Sequence, residues 1–155
     1  MATAASTVAT SASSQRAIVN AICVIGAKNQ PLFIKSFNTL PESSQLHYHY
    51  IAHISVDIIE EKVNGSKLTD LYLGLLYSME DYSVYGYVTN TRVKFLIVIQ
   101  LADFAVKDVE LKNIFRKIHQ AYVNLILNPF YDPESNQLIT SKSFTKSMEE
   151  LVTKP

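Results

Sequence analysis

The run from Ala17 to Ala27, AIVNAICVIGA, is rich in Ile and Val without clean alternation. That pattern predicts a strand buried on both faces. Asn29-Gln30-Pro31 then turns the chain, and Leu32 to Lys35 reads as a short second strand. Pro41 followed by Ser43 and Ser44 supplies a helix start, and the segment Gln45 to Val63 is the first helix. Three stretches with strand character follow: Leu71 to Ser78, Ser83 to Thr89 with alternating Val84, Gly86 and Val88, and Val93 to Leu101 with five consecutive apolar residues from Phe95 to Ile99. Short turns at Glu80-Asp81 and Asn90-Thr91 make these an antiparallel meander.

A second helix, Asp108 to Leu127, repeats apolar residues at Leu111, Ile114/Phe115, Ile118, Tyr122 and Leu125, a stripe that faces a core until Asn128-Pro129 stops it. A last helix after Ser143, with Ser143 as its N-cap, shows Phe144, Met148 and Leu151 at the same spacing. The order is β-β-α-β-β-β-α-α. Because the first and last strands read as buried on both faces, helices must cover both sides of the sheet. The expected class is α+β: a three-layer α/β/α sandwich on a five-stranded antiparallel sheet, one helix on one face and two on the other.

The first helix carries more apolar surface than one sheet face needs. Ile51, Ile54 and Ile58 lie to one side and Tyr48, Ala52, Val56, Ile59 and Val63 to the other, a span wider than a stripe of about 100°. With the other two helices needed on the far face, this surplus is expected to meet a protein partner through Tyr48, Ala52, Val56 and Ile59. Composition points the same way. The 155 residues are 48% hydrophobic and only 18% charged, below the usual quarter. Lys and Arg number 14 against 14 Asp and Glu, which removes the electrostatic footprint that nucleic-acid binding requires.

The first sixteen residues, almost all Ala, Ser and Thr before a lone Arg16, are expected to form a disordered extension, with the folded domain running from 17 to 155. An organelle transit peptide would bring several arginines, and no apolar run is long enough for a signal sequence or a membrane span. The expectation is a soluble chain. Asn64-Gly65-Ser66 spells a glycosylation sequon but reads more simply as an Asn-Gly turn.

Candidate chemistry is thin. His49, His53 and Asp57 stack at i, i+4, i+8 on the first helix, a spacing that invites a metal. Their arc also holds Glu60 and Glu61, as any solvated face does, and three ligands on one straight helix cannot surround an ion tetrahedrally, so no metal is expected. Cys23, the single cysteine, sits in a presumed core strand as a small hydrophobe. No nucleophile elbow, P-loop or dinucleotide fingerprint occurs, and four glycines make no phosphate cradle. A hydrolase built on Cys23 or the histidines is a residual reading that would require an exposed thiol. Tyr72, Tyr77, Tyr82, Tyr85 and Tyr87 crowd the meander, which suits ordinary β-propensity and a half-wet interface equally.

Three stretches carry a resemblance: HYHYIAHISVDIIEEK from His47 to Lys62, LYLGLLYSMEDYSVYGYVTNTRVKF from Leu71 to Phe95, and FRKIHQAYVNLILNPFY from Phe115 to Tyr131. Together they resemble the sedlin family of trafficking protein particle (TRAPP) complex subunits, with VYGYVTN and NPFY the most distinctive pieces. The resemblance runs from about Ile18 to about Leu151 and leaves the extension before Arg16 outside the family pattern. It implies a longin-like (SNARE-like) fold, no active site and no cofactor. The implied role is a non-catalytic adaptor in a vesicle-tethering complex that acts as a guanine-nucleotide exchange factor for Rab GTPases. Exchange belongs to other subunits, in endoplasmic reticulum-to-Golgi and Golgi transport. Implied partners are small core subunits and a large complex-specific subunit, with the Rab met only through the complex. The implied place is the cytoplasm, peripheral to endoplasmic reticulum–Golgi membranes. Asp57 matches an acidic position associated with holding the large subunits. The alternative is a free-standing longin-type regulatory module that binds a SNARE or small GTPase directly.

Overall fold

The computed structural model describes residues 18–37, 43–65, 71–100, 107–132 and 138–153. The expected extension, 1–16, lies outside them. Eight elements follow in the anticipated order: β1 (Val19–Ile25), β2 (Pro31–Ser36), α1 (Ser43–Gly65), β3 (Tyr72–Ser78), β4 (Tyr82–Val88), β5 (Lys94–Gln100), α2 (Asp108–Ile126) and α3 (Lys142–Thr153). The strands form one antiparallel sheet in the order β2-β1-β5-β4-β3. β1 therefore lies inside the sheet, with Cys23 opposite Ile34 on one side and Leu96 on the other.

The two faces of the sheet bury two separate cores, which is why β1 and β5 read as continuous apolar runs. Phe95, Ile97 and Ile99 of β5 join Ile22 and Val24 of β1 beneath α2 and α3, whereas Leu96 and Val98 join Ala21, Cys23 and Ile25 beneath α1. The broken alternation of β1 has a local cause. A register shift between Val19 and Ala21 against β5 places Val19 and Ile22 in the same core. Gly86 on β4 has a similar logic, since a Cβ there would come within 2.9 Å of a Leu76 methyl on β3.

α2 buries Leu111, Ile114, Phe115, Ile118, Tyr122 and Leu125, the stripe its spacing predicts. α3 adds Phe144, Met148 and Leu151, with Phe144 edge-on to Phe33 at 5.1 Å between centroids. Its cap lies two residues earlier than expected. Ser141 Oγ accepts the Phe144 amide at 3.3 Å and the Ser141 carbonyl accepts that of Thr145 at 3.1 Å, so Ser143 is already helical. Segment 138–140 also covers the outer edge of β2, where the Ile139 amide donates to the Leu32 carbonyl at 2.7 Å. Asn64-Gly65 closes α1 and is not a separate turn.

Candidate functional site

α1 rests on the sheet through Tyr48, Ile51, Ala52, Ser55, Val56 and Ile59, spaced i, i+3, i+4, i+7, i+8 and i+11. Small side chains set the closeness of this contact. Ala52 and Ser55 face a strand surface that holds Ala21 and Cys23, and the Ser55 hydroxyl satisfies itself on the Ile51 carbonyl at 2.7 Å. At the far end of the helix Glu60 accepts the Asn29 side-chain amide at 2.6 Å, while Asn29 Oδ1 accepts the Lys94 ammonium. That bridge ties α1 to the β1–β2 turn and to β5. Burial lowers the Lys94 pKa, and Glu60 opposes the shift.

The packing bears on the partner face expected at Tyr48, Ala52, Val56 and Ile59. All four are at most 7% exposed and pack in the chain's own core, and of them only Ala52 and Val56 also line a groove beside the helix. Of the expected interface residues only Asp57 is exposed. The free apolar surface of α1 lies instead on the line 46-50-53-57: Leu46 is 76% and Tyr50 64% exposed, followed by His53 and Asp57 on the next turns. The i, i+4, i+7, i+11 spacing was legible, but His49, His53 and the acids made the whole arc look polar.

Beside this line runs a groove of about 770 Å³ between α1 and β2, with Ile25, Ile34, Ala52 and Val56 among its lining and Leu46 and Tyr50 at α1. Its size and apolar character suit the insertion of side chains from another molecule. Chemistry elsewhere is quiet. Cys23 is fully buried and its thiol is pushed up to about 12, which keeps it protonated at neutral pH and denies it nucleophilic character. His47 packs edge-on against Tyr82 at 5.6 Å, and His49 and His53 face outward. No group of three His, Cys, Asp or Glu among the described residues could hold a metal.

The meander tyrosines serve the fold. Tyr87 is stacked between Phe95 (5.9 Å) and Phe115 (5.4 Å) and places its hydroxyl 3.3 Å from His119 Nδ1. Tyr72 packs on Phe115 and donates to Asp108 at 3.1 Å, and Tyr77 meets Tyr82 edge-on beneath α1.

The described residues thus form a small α+β scaffold with two filled cores, a buried thiol and exposed apolar side chains on α1. The chain belongs to the sedlin family, whose model matches residues 24–154. It is 45% identical over 128 residues to the trafficking protein particle complex subunit 2-like protein of Mus musculus, covering 79% of this chain and 88% of that one. The proteins of the same name from Taeniopygia guttata and Dictyostelium discoideum are 42% identical over 136 residues and 43% over 134, each covering 84% of this chain and 94% of the relative. No helix among the described residues is long and apolar enough to cross a membrane.

Proposed function

We propose that this chain is a non-catalytic adaptor subunit of a trafficking particle (TRAPP) complex that tethers vesicles and promotes nucleotide exchange on Rab GTPases in endoplasmic reticulum–Golgi transport. The observation that carries this reading is similarity along nearly the whole length of the subunit 2-like relatives, at 42–45% identity. The surface of α1 supports it. Leu46 and Tyr50 supply desolvation energy beside the groove, and Asp57 adds a charge at the far end of the same line, able to set the register of an incoming subunit. The partners are other subunits of the particle, and the Rab is reached through them. The chain works in the cytoplasm, peripheral to the membranes served.

Asp57→Tyr tests the site. The residue is exposed, so the fold should keep its stability to within about 0.5 kcal/mol. Co-purification with a large subunit of the particle should fall; undiminished recovery rejects the role of Asp57. Sedimentation of native extract tests the wider reading, since a complex subunit runs far above the 17.4 kDa of the free chain and a free-standing module does not.

A further inference from the structure

The groove beside α1 is closed to one mode of recognition and open to another. Its outer wall is β2, an edge strand whose free side would ordinarily take a further strand. Segment 138–140 already occupies that side, the Ile139 amide donating to the Leu32 carbonyl, so backbone pairing there is taken. What remains is side-chain surface: Pro31 and Ile34 of β2, Ile25 of β1, and Leu46, Tyr50 and His53 of α1. The groove follows α1 from Leu46 to Val56, about 15 Å or nearly three turns at ~1.5 Å per residue. A helix laid along it presents apolar side chains at i, i+3 or i+4, and i+7 over that length.

We propose, on the adaptor reading above, that this groove receives an amphipathic helix of another subunit of the particle, with apolar side chains in the groove and a Lys or Arg on Asp57. Charge selects the sign of the partner. Asp57 and, one turn on, Glu61 are exposed and make no ion pair or hydrogen bond among the described residues, whereas Glu60 is engaged by Asn29. The cations at this end of α1 are disposed elsewhere: Lys62 donates to the Leu75 carbonyl, Lys94 to Asn29, and Arg92 lines a cavity beyond Val63 on the β4 side. Lys28, next to Asn29, is the other exposed cation near the groove. An apolar stretch that ends in a free carboxylate calls for an apolar stretch that ends in a base.

Other occupants fit this pattern poorly. A symmetric pair of chains sets Leu46 and Tyr50 opposite Asp57 and Glu61 when the two α1 helices run antiparallel, and acid opposite acid when they run parallel. A head-to-tail contact between copies leaves a groove open at one end and propagates into a filament. Anionic lipid is repelled by Asp57 and Glu61. The chain's own connection 38–42 spans at most ~18 Å and must join β2 to α1, so it cannot also fill the groove. Residues 1–16 hold only Met1 and Val8 as large apolar side chains, seven positions apart with nothing between them to fill the middle turn.

The test uses the full chain assembled with the other subunits. A photoreactive benzoylphenylalanine replaces Tyr50, and the same probe at exposed Lys117, on the helix layer across the sheet, serves as control. The expected result is a cross-link from position 50 to one other subunit, in a peptide whose apolar residues recur every three or four positions and which holds a Lys or Arg. Asp57→Arg should lower the yield about tenfold or more without moving the melting temperature of the free chain, and changing one Lys or Arg of the cross-linked peptide to Glu should return it to near the wild-type level. A peptide that lacks the spacing or the base, or a yield that no such reversal restores, overturns the inference. So does cross-linking to residues 1–16, to a second copy, to added phosphatidylcholine–phosphatidylserine vesicles, or at no more than the Lys117 level. Incorporation of the wild-type chain without the cross-link refutes the helix in the groove and leaves the proposed function standing; failure of the wild-type chain to incorporate refutes both.

Discussion

Ile59→Ala separates the core assignment of α1 from the partner-face expectation. Ile59 is fully buried between α1 and the sheet, in the cluster that holds Cys23, Ile25, Val88 and Leu96. Truncation removes three carbon groups, worth about 2.4 kcal/mol at ~0.8 kcal/mol each, and the cavity left behind adds to that. The total should reach about 3–4 kcal/mol. For a domain of this size each kcal/mol lowers the melting temperature by roughly 2–4 °C, so a fall of about 6–16 °C is expected. Thermal and urea melts of the isolated chain, followed by far-ultraviolet circular dichroism, read this directly, and the urea midpoint should move without a change in slope. A partner-facing residue would behave in the opposite way, with the isolated chain unaltered and assembly impaired. A melting shift below about 2 °C in the free chain would therefore refute the reasoning.

Gly86→Ala should destabilise the chain by about 1 kcal/mol, because its Cβ meets a Leu76 methyl at 2.9 Å; in a Leu76→Ala background that cost should vanish, and a double-mutant cycle by urea melts reads the coupling. Cys23 should resist a thiol reagent in the native protein and react fully in denaturant, so rapid native labelling would contradict its burial. Burial lowers the pKa of His119, so between the folded value and the ordinary imidazole value the unfolded chain binds more protons than the folded one. Stability from this group is complete above the ordinary value and declines as pH falls through that window; urea midpoints across the range should show this loss, and His119→Gln should remove part of the slope.

The alternation of apolar and polar positions carried most of the architecture, because burial on one or two faces leaves a periodic trace in each element. β5 and α2 show this best: Phe95 to Ile99 cannot serve a one-faced strand, and the stripe from Leu111 to Leu125 cannot serve a strand at all. Caps and local turns were less legible. Ser141 and Ser143 are equivalent as candidate caps in sequence, and the choice fell to the packing of Phe144 against Phe33 and the pairing of Ile139 with β2.

The site divides along the same line. Family membership, the inert cysteine and the wide apolar arc of α1 belong to the sequence by itself, because they depend on residue identity and spacing. Which part of that arc remains free depends on how far one helix sinks into one sheet. Ala21, Cys23, Ala52 and Ser55 are small enough to let α1 settle until Tyr48, Val56 and Ile59 are enclosed, which leaves Leu46 and Tyr50 outside. Strand order, too, is a long-range property: nothing local in β1 states that β5 will lie beside it. Tertiary packing made that choice, since only an interior place in the sheet, with a helix layer on each face, buries a strand that is apolar on both sides.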